Sequence, residues 1–226
     1  MRARINRATP PPVAEIGKIK VGMKNEKGYP KSVDYFIATG KYAPLFEKFL
    51  GAKPNIIPIV FVGDNDNVNC NEQWEYRNNE GRVVARGDGE LFEVWNGKDY
   101  SPFSKTEHPD IMERVKAKHP SKNDWFVTLS LRFAIPQIPI AGYWRLTTKG
   151  NASSIPQIVA GYDLIKDHVG TVTSTLFDLS VEFAKSQKPG DTSRYPVITL
   201  AANADPERMA AVSSKLLDNR KYLLNE

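Results

Sequence analysis

Residues 125–148 read WFVTLSLRFAIPQIPIAGYWRLTT, and the fold follows from how this stretch is parsed. From Val127 to Phe133 an apolar residue stands at every second position, with Thr128, Ser130 and Arg132 between them. That is the period of a strand with one buried face, here a central antiparallel strand. AGYWRLTT, residues 141–148, returns beside it. Lys149, Gly150 and Asn151 then lead to Ser153 or Ser154, either of which can cap a helix. In that helix Ile155, Ile158, Val159, Tyr162, Ile165 and Val169 keep to one face. Paired strands followed by an amphipathic helix already indicate an α+β chain.

The same reading extends outward. Upstream, EQWEYR and RVVAR flank Asn78-Asn79-Glu80-Gly81, a hairpin turn, and ELFEVW at residues 90–95 continues the sheet after Gly87-Asp88-Gly89. A short helix is predicted over Pro109–Lys118, with Ile111 and Val115 inward. Nearer the N-terminus, IGKIKVG and SVDYFIATG read as strands around the turn Gly28-Tyr29-Pro30-Lys31. A helix opens at Pro44 and stops at Gly51, and Pro58 places the strand IIPIVFV near a sheet edge. Downstream, TLFDLSVEFA and RYPVITLAA are strands, and Asp205 with Pro206 begins a last helix. The expected architecture is a largely antiparallel mixed sheet with helices packed on it and a C-terminal helix. Residues 1–14 form a basic, proline-rich arm carrying Arg2, Arg4 and Arg7. Residues 15–226 form one domain, in which a junction near 105–123 would separate any two lobes.

The chain carries a formal charge of +5 and is 41% hydrophobic. This is ordinary for a soluble globular protein, with a weak bias towards acidic partners. Cys70 is the sole cysteine, so no intrachain disulfide forms, which suits a reducing cytoplasm. No apolar run approaches a membrane span.

Catalytic patterns are scarce. There is no GxSxG elbow and no Walker loop, and no histidine lies near Cys70 in sequence. Asp64, Asp66, Cys70 and Glu72 could ligate a divalent ion, but they lack the offsets of a calcium loop and the His/Cys content of a zinc site. A solvated turn explains them as well. The Lys149–Ser154 helix start is a candidate anion site, but an ordinary capped helix start is the plainer reading. Binding features are richer. Trp74, Trp95, Trp125 and Trp144 all fall on predicted strands, accompanied by Tyr76, Tyr143, Arg77, Arg86, Arg132 and Arg145. Such a face can stack bases or anchor a protein, although filling the core between sheet and helices is the favoured reading of the tryptophans. The candidate binding set is therefore Trp74, Tyr76, Arg77, Arg86, Trp144, Arg145 and Lys149, with Lys18, Lys20, Lys24, Lys27 and Lys31 as a basic rim. No cofactor is called for.

Four strings occur in order: GKIKVGMKNEKGYPKSVDYF, CNEQWEYRNNEGRVVARGDGELFEVW, AGYWRLTTKGNASSI and RYPVITLAA. Their succession resembles the recombination directionality factor-like family of phages and integrative elements. The resemblance implies a non-enzymatic accessory protein whose partner is a large serine integrase, with DNA reached through that complex and direct contact through the basic rim left open. It implies a switch from integration (attP × attB) to excision (attL × attR). A single-stranded nucleic-acid binder and a metal-dependent hydrolase are the alternatives drawn from the residues themselves.

Overall fold

The computed structural model describes residues 14–173, 175–186 and 189–203. The arm before Ala14 and the helix expected from Asp205 lie outside them.

The chain opens with β1 (Glu15–Lys20), the short pair β2 (Met23–Lys24) and β3 (Pro30–Lys31), and β4 (Ile37–Thr39). Helix α1 (Ala43–Leu50) has proline at its start, and Gly51 after it takes φ 88°. Next come β5 (Ile56–Ile59), the single turn α2 (Asp66–Asn69) and β6 (Cys70–Arg77). The hairpin strands β7 (Val83–Gly87), β8 (Leu91–Trp95) and β9 (Tyr100–Ser104) precede α3 (Ile111–Lys118). The second half holds β10 (Phe126–Phe133), β11 (Tyr143–Thr148), α4 (Ser154–Val169), β12 (Phe177–Lys185) and β13 (Arg194–Ala202).

Eight strands form one sheet in the order β4-β1-β11-β10-β6-β7-β8-β9. Only β1 and β11 are parallel neighbours, so the sheet is mixed and largely antiparallel, and the fold is α+β. As expected, β10 lies at its centre, between β6 and β11. The last two strands do not extend this sheet. They form a second sheet, β13-β12-β5, joined to the first through the isolated bridge Val60–Ala134. Trp125 also stands one residue before β10 and not on a strand.

Alternation along the strands gives the large sheet two unlike faces. On one, Ile19, Trp144, Leu146, Leu129, Leu131 and Phe133 join Ile155, Ile158 and Tyr162 of α4 and Ile57, Leu179 and Leu200 of the small sheet in one core. On the same face, Tyr76, Ala85, Phe92 and Val94 form a second core with Ile111 and Val115 of α3 and Trp125. Trp74 packs against both. The opposite face carries no helix or second sheet among the described residues. Val169, expected on the buried stripe of α4, is 59% exposed because it closes the last turn beyond the core.

Helix α4 covers the free edge of β13. Outward-pointing Ile198 N–H donates to Ser154 Oγ at 3.0 Å. Farther along, the Cβ position of Gly161 lies against the Leu200 carbonyl, an approach only glycine permits. No helix among the described residues is long and apolar enough to cross a membrane.

Candidate partner interface

The open face of the eight-stranded sheet is built by residues out of phase with the core. Register places Lys18 of β1 beside Arg145 of β11, and Arg145 beside Arg132 of β10. Phe126 and Thr128 of β10 lie opposite Glu75 and Gln73 of β6, Glu75 opposite Arg86 of β7, and Arg86 opposite Glu93 of β8. Eight strands at a spacing of ~4.8 Å make a surface about 34 Å wide.

Three carboxylates on this face are already committed. Glu15 pairs with Arg145 at 3.0 Å, Glu75 with Arg77 at 2.7 Å, and Glu93 with Arg86 at 2.7 Å. Glu75 is buried and also accepts from Gln73 Nε2 at 3.0 Å and Thr128 Oγ1 at 3.2 Å. Lys18, Arg132 and Lys149 make no ion pair among the described residues. Arg132 lies 5.5 Å from the centre of the Tyr143 ring, and Lys149 lies 3.9 Å from that of Phe126, whose ring Arg77 also approaches at 6.0 Å. Burial and the Arg77 charge hold the Lys149 ammonium below the usual lysine range. Leu91 is 59% exposed, and Tyr100 carries Arg86 over its ring at 5.1 Å.

The structure sorts the sequence-derived candidates. Arg77, Arg86 and Arg145 lie on the open face, and Lys149 reaches it at the end of β11. Trp144 and Tyr76 do not: each is at most 2% exposed, one in each core. Trp74 is half-buried between the two cores. The strand period accounts for this, since Trp144 and Tyr76 share the phase of the core residues while Arg145 and Arg77 follow one position later. Phe126, Leu91 and Tyr100 were missed; their out-of-phase position on the strands was the available signal.

One edge of this sheet, β9, and both outer strands of the small sheet are blunted by proline. The hydrogen-bonded pairs at Asn96–Asp99 and Lys105–Glu90 fix the alternation of β9, so Pro102 faces outward. Val181 N–H donating to Asn55 makes Pro58 of β5 point outward, and Ser186 N–H donating to Ser193 does the same for Pro196 of β13. Each edge thus lacks a donor where a further strand would pair.

The remaining candidates resolve into structural joints. Asp64 accepts from Thr171 Oγ1 at 2.7 Å and Val172 N–H at 2.9 Å, contacts that hold its carboxyl down to about 2. Asp66 accepts from Tyr162 Oη at 2.7 Å and faces Lys166 at 3.2 Å. Burial pushes the Cys70 thiol up to about 12, with Asp163, Glu72 and Asp66 adding to the effect. Among the described residues, no group of three or more His, Cys, Asp or Glu side chains is placed to hold a metal. At the candidate anion site, Ser153 makes no side-chain cap, and Ser153 N–H and Ile155 N–H both donate to the Gly150 carbonyl at 3.0 Å. Ser154 Oγ is turned to Ile198 instead, and Lys149 turns to Phe126.

The Gp3-like family, described as recombination directionality factor-like, matches residues 16–203. No curated protein and no solved structure matches the chain. The chain belongs to the recombination directionality factor-like family, which connects it with DNA recombination.

Proposed function

We propose that this family member is a non-enzymatic accessory factor that docks a large serine integrase on the open sheet face and turns it from attP × attB joining towards attL × attR excision. The observation that carries the reading is the face itself. It is broad, and Pro102 blunts its β9 edge. It presents unpaired cations beside half-buried rings and the exposed Leu91. An apolar anchor ringed by charge is the composition of a protein interface. A directional switch requires only that the factor bind one integrase–DNA conformation better than the other. A preference of about 5.5 kcal/mol moves a two-state balance from 1:99 to 99:1, within reach of a few hot-spot contacts.

The alternatives have less support. Cations already lie over Phe126, Tyr143 and Tyr100, where bases would stack in a single-strand binder. The aspartates needed by a hydrolytic metal site are engaged by Thr171, Tyr162 and Lys166.

The test is recombination in vitro with the cognate integrase and purified att substrates. Wild-type protein at stoichiometric excess should give attL × attR product without nucleotide. Arg132→Glu combined with Leu91→Asp should keep the circular-dichroism spectrum, lose integrase capture and reduce excision at least tenfold. Absence of excision with wild-type protein, or excision indifferent to these substitutions, would overturn the reading.

A further inference from the structure

From the end of β1 the chain leaves the sheet as a small ribbon. All ten residues from Met23 to Ser32 are exposed. Strands β2 and β3 pair only with each other, Met23 opposite Lys31 and Lys24 opposite Pro30. The tip is nevertheless shaped. Asn25 Oδ1 accepts from Lys27 N–H at 3.0 Å and Tyr29 N–H at 2.9 Å, Asn25 N–H donates to the Tyr29 carbonyl, and Gly28 turns the chain at φ 80°. Both ends of the ribbon are rooted in the molecule. Ile19 is buried before it, Val33 and Phe36 are buried after it, and Phe36 N–H donates to the Pro54 carbonyl at 2.8 Å. Tyr35 Oη reaches Met23 Sδ at 3.7 Å and Lys53 lies over the Tyr35 ring, bracing the base.

The ribbon and the strand that leads to it are strongly cationic. Between residues 18 and 31 stand Lys18, Lys20, Lys24, Lys27 and Lys31, against Glu26 alone. None of the five lysines makes an ion pair among the described residues. Lys18 and Lys20 share the open face, so positive charge runs from the sheet out to the tip. Tyr29, at the tip, is 66% exposed. Lys24 and Lys31 stand on the free edges of the ribbon, but Lys27 stands in its turn, where edge protection does not call for a charge.

We infer that this ribbon is a duplex-DNA contact, with Lys24, Lys27 and Lys31 neutralising backbone phosphates and Lys20 and Lys18 extending the track towards the sheet. A two-stranded ribbon fits the major groove, which is about 12 Å wide. Lysines on flexible stems suit phosphates without reading sequence. Lys24, Lys27 and Lys31 lie off the integrase-docking face, so their contribution can be tested without integrase.

The experiment is fluorescence anisotropy of a labelled 30-base-pair duplex of arbitrary sequence, titrated with the full chain at several salt concentrations. Wild-type protein should bind at low salt, with an affinity that falls steeply as salt rises. The triple variant Lys24→Gln, Lys27→Gln, Lys31→Gln should reduce the slope of log K against log salt by about 2–3, because each phosphate contact contributes ~0.9. Integrase capture by the same variant should be unchanged. Failure of wild-type protein to bind at low salt, or an unchanged slope in the variant, overturns the inference. A variant that keeps DNA binding but loses integrase capture also overturns it, and assigns the ribbon to the protein partner.

Discussion

At Ser154 one hydroxyl fastens α4 to the small sheet. It sits at the helix start that sequence reads as a cap, yet it serves the outward N–H of Ile198. Ser154→Ala leaves that N–H buried and unpaired, so a loss of about 1–3 kcal/mol is expected in urea unfolding. Asp64 fastens the other end, holding the chain just past Gly170. Its folded pKa of about 2 lies below the ordinary aspartate value of 3.8, so its stabilising effect is complete above pH ~4 and is lost as pH falls towards 2. Asp64→Asn should therefore flatten the stability–pH curve between about pH 4 and 2, read as the shift in urea midpoint at each pH. Cys70 gives a third check. With its thiol pushed up to about 12, alkylation by iodoacetamide at pH 8 should run about 1,000-fold slower than for an ordinary exposed thiol.

Among the elements, the edge strands decide how the protein meets others. Pro58, Pro102 and Pro196 each remove a donor from an outward position, and α4 occupies the rest of the β13 edge. Pro102→Thr restores an N–H on the outer strand of the large sheet. Concentration-dependent self-association should follow, measurable by sedimentation velocity, with little change in the stability of the monomer. Strand β6 carries a second dependency. Arg77 neutralises buried Glu75, and Arg77→Ala leaves that carboxylate with Gln73 and Thr128 as hydrogen-bond donors and Lys149 as the nearby charge. Because Arg77 is itself one-third exposed, the expected cost is about 1–3 kcal/mol and not the full value of a buried pair.

For the molecule as a whole, two cores share one face of one sheet, with Trp74 between them. That continuity leads us to expect a single unfolding transition. Ile111→Ala, in the core under α3, should lower stability by about 2–5 kcal/mol in a transition seen alike by tryptophan fluorescence and far-UV circular dichroism. Two separated transitions would mean that the α3 side unfolds by itself. Placing both cores on one face is also what leaves the other face free for a partner.

Strand and helix identity was legible in the sequence because it depends on local period. The alternation of Val127–Phe133, the turn Asn78–Gly81 and the apolar stripe of α4 each state their element without reference to the rest of the chain. The family, too, was legible in ordered strings. The candidate site was legible only in part. Arg77, Arg86 and Arg145 could be found as basic strand residues, but the same composition promoted Trp144 and Tyr76, which are core. Which strands share a sheet is set by pairings between residues far apart in the chain, as when Ile57 of β5 finds Leu179 of β12 and Glu75 of β6 finds Phe126 of β10. Local pattern carries no record of such pairings. Periodicity fixed which side chains alternate together; only tertiary packing decided which of the two alternating sets would be covered and which would stay open.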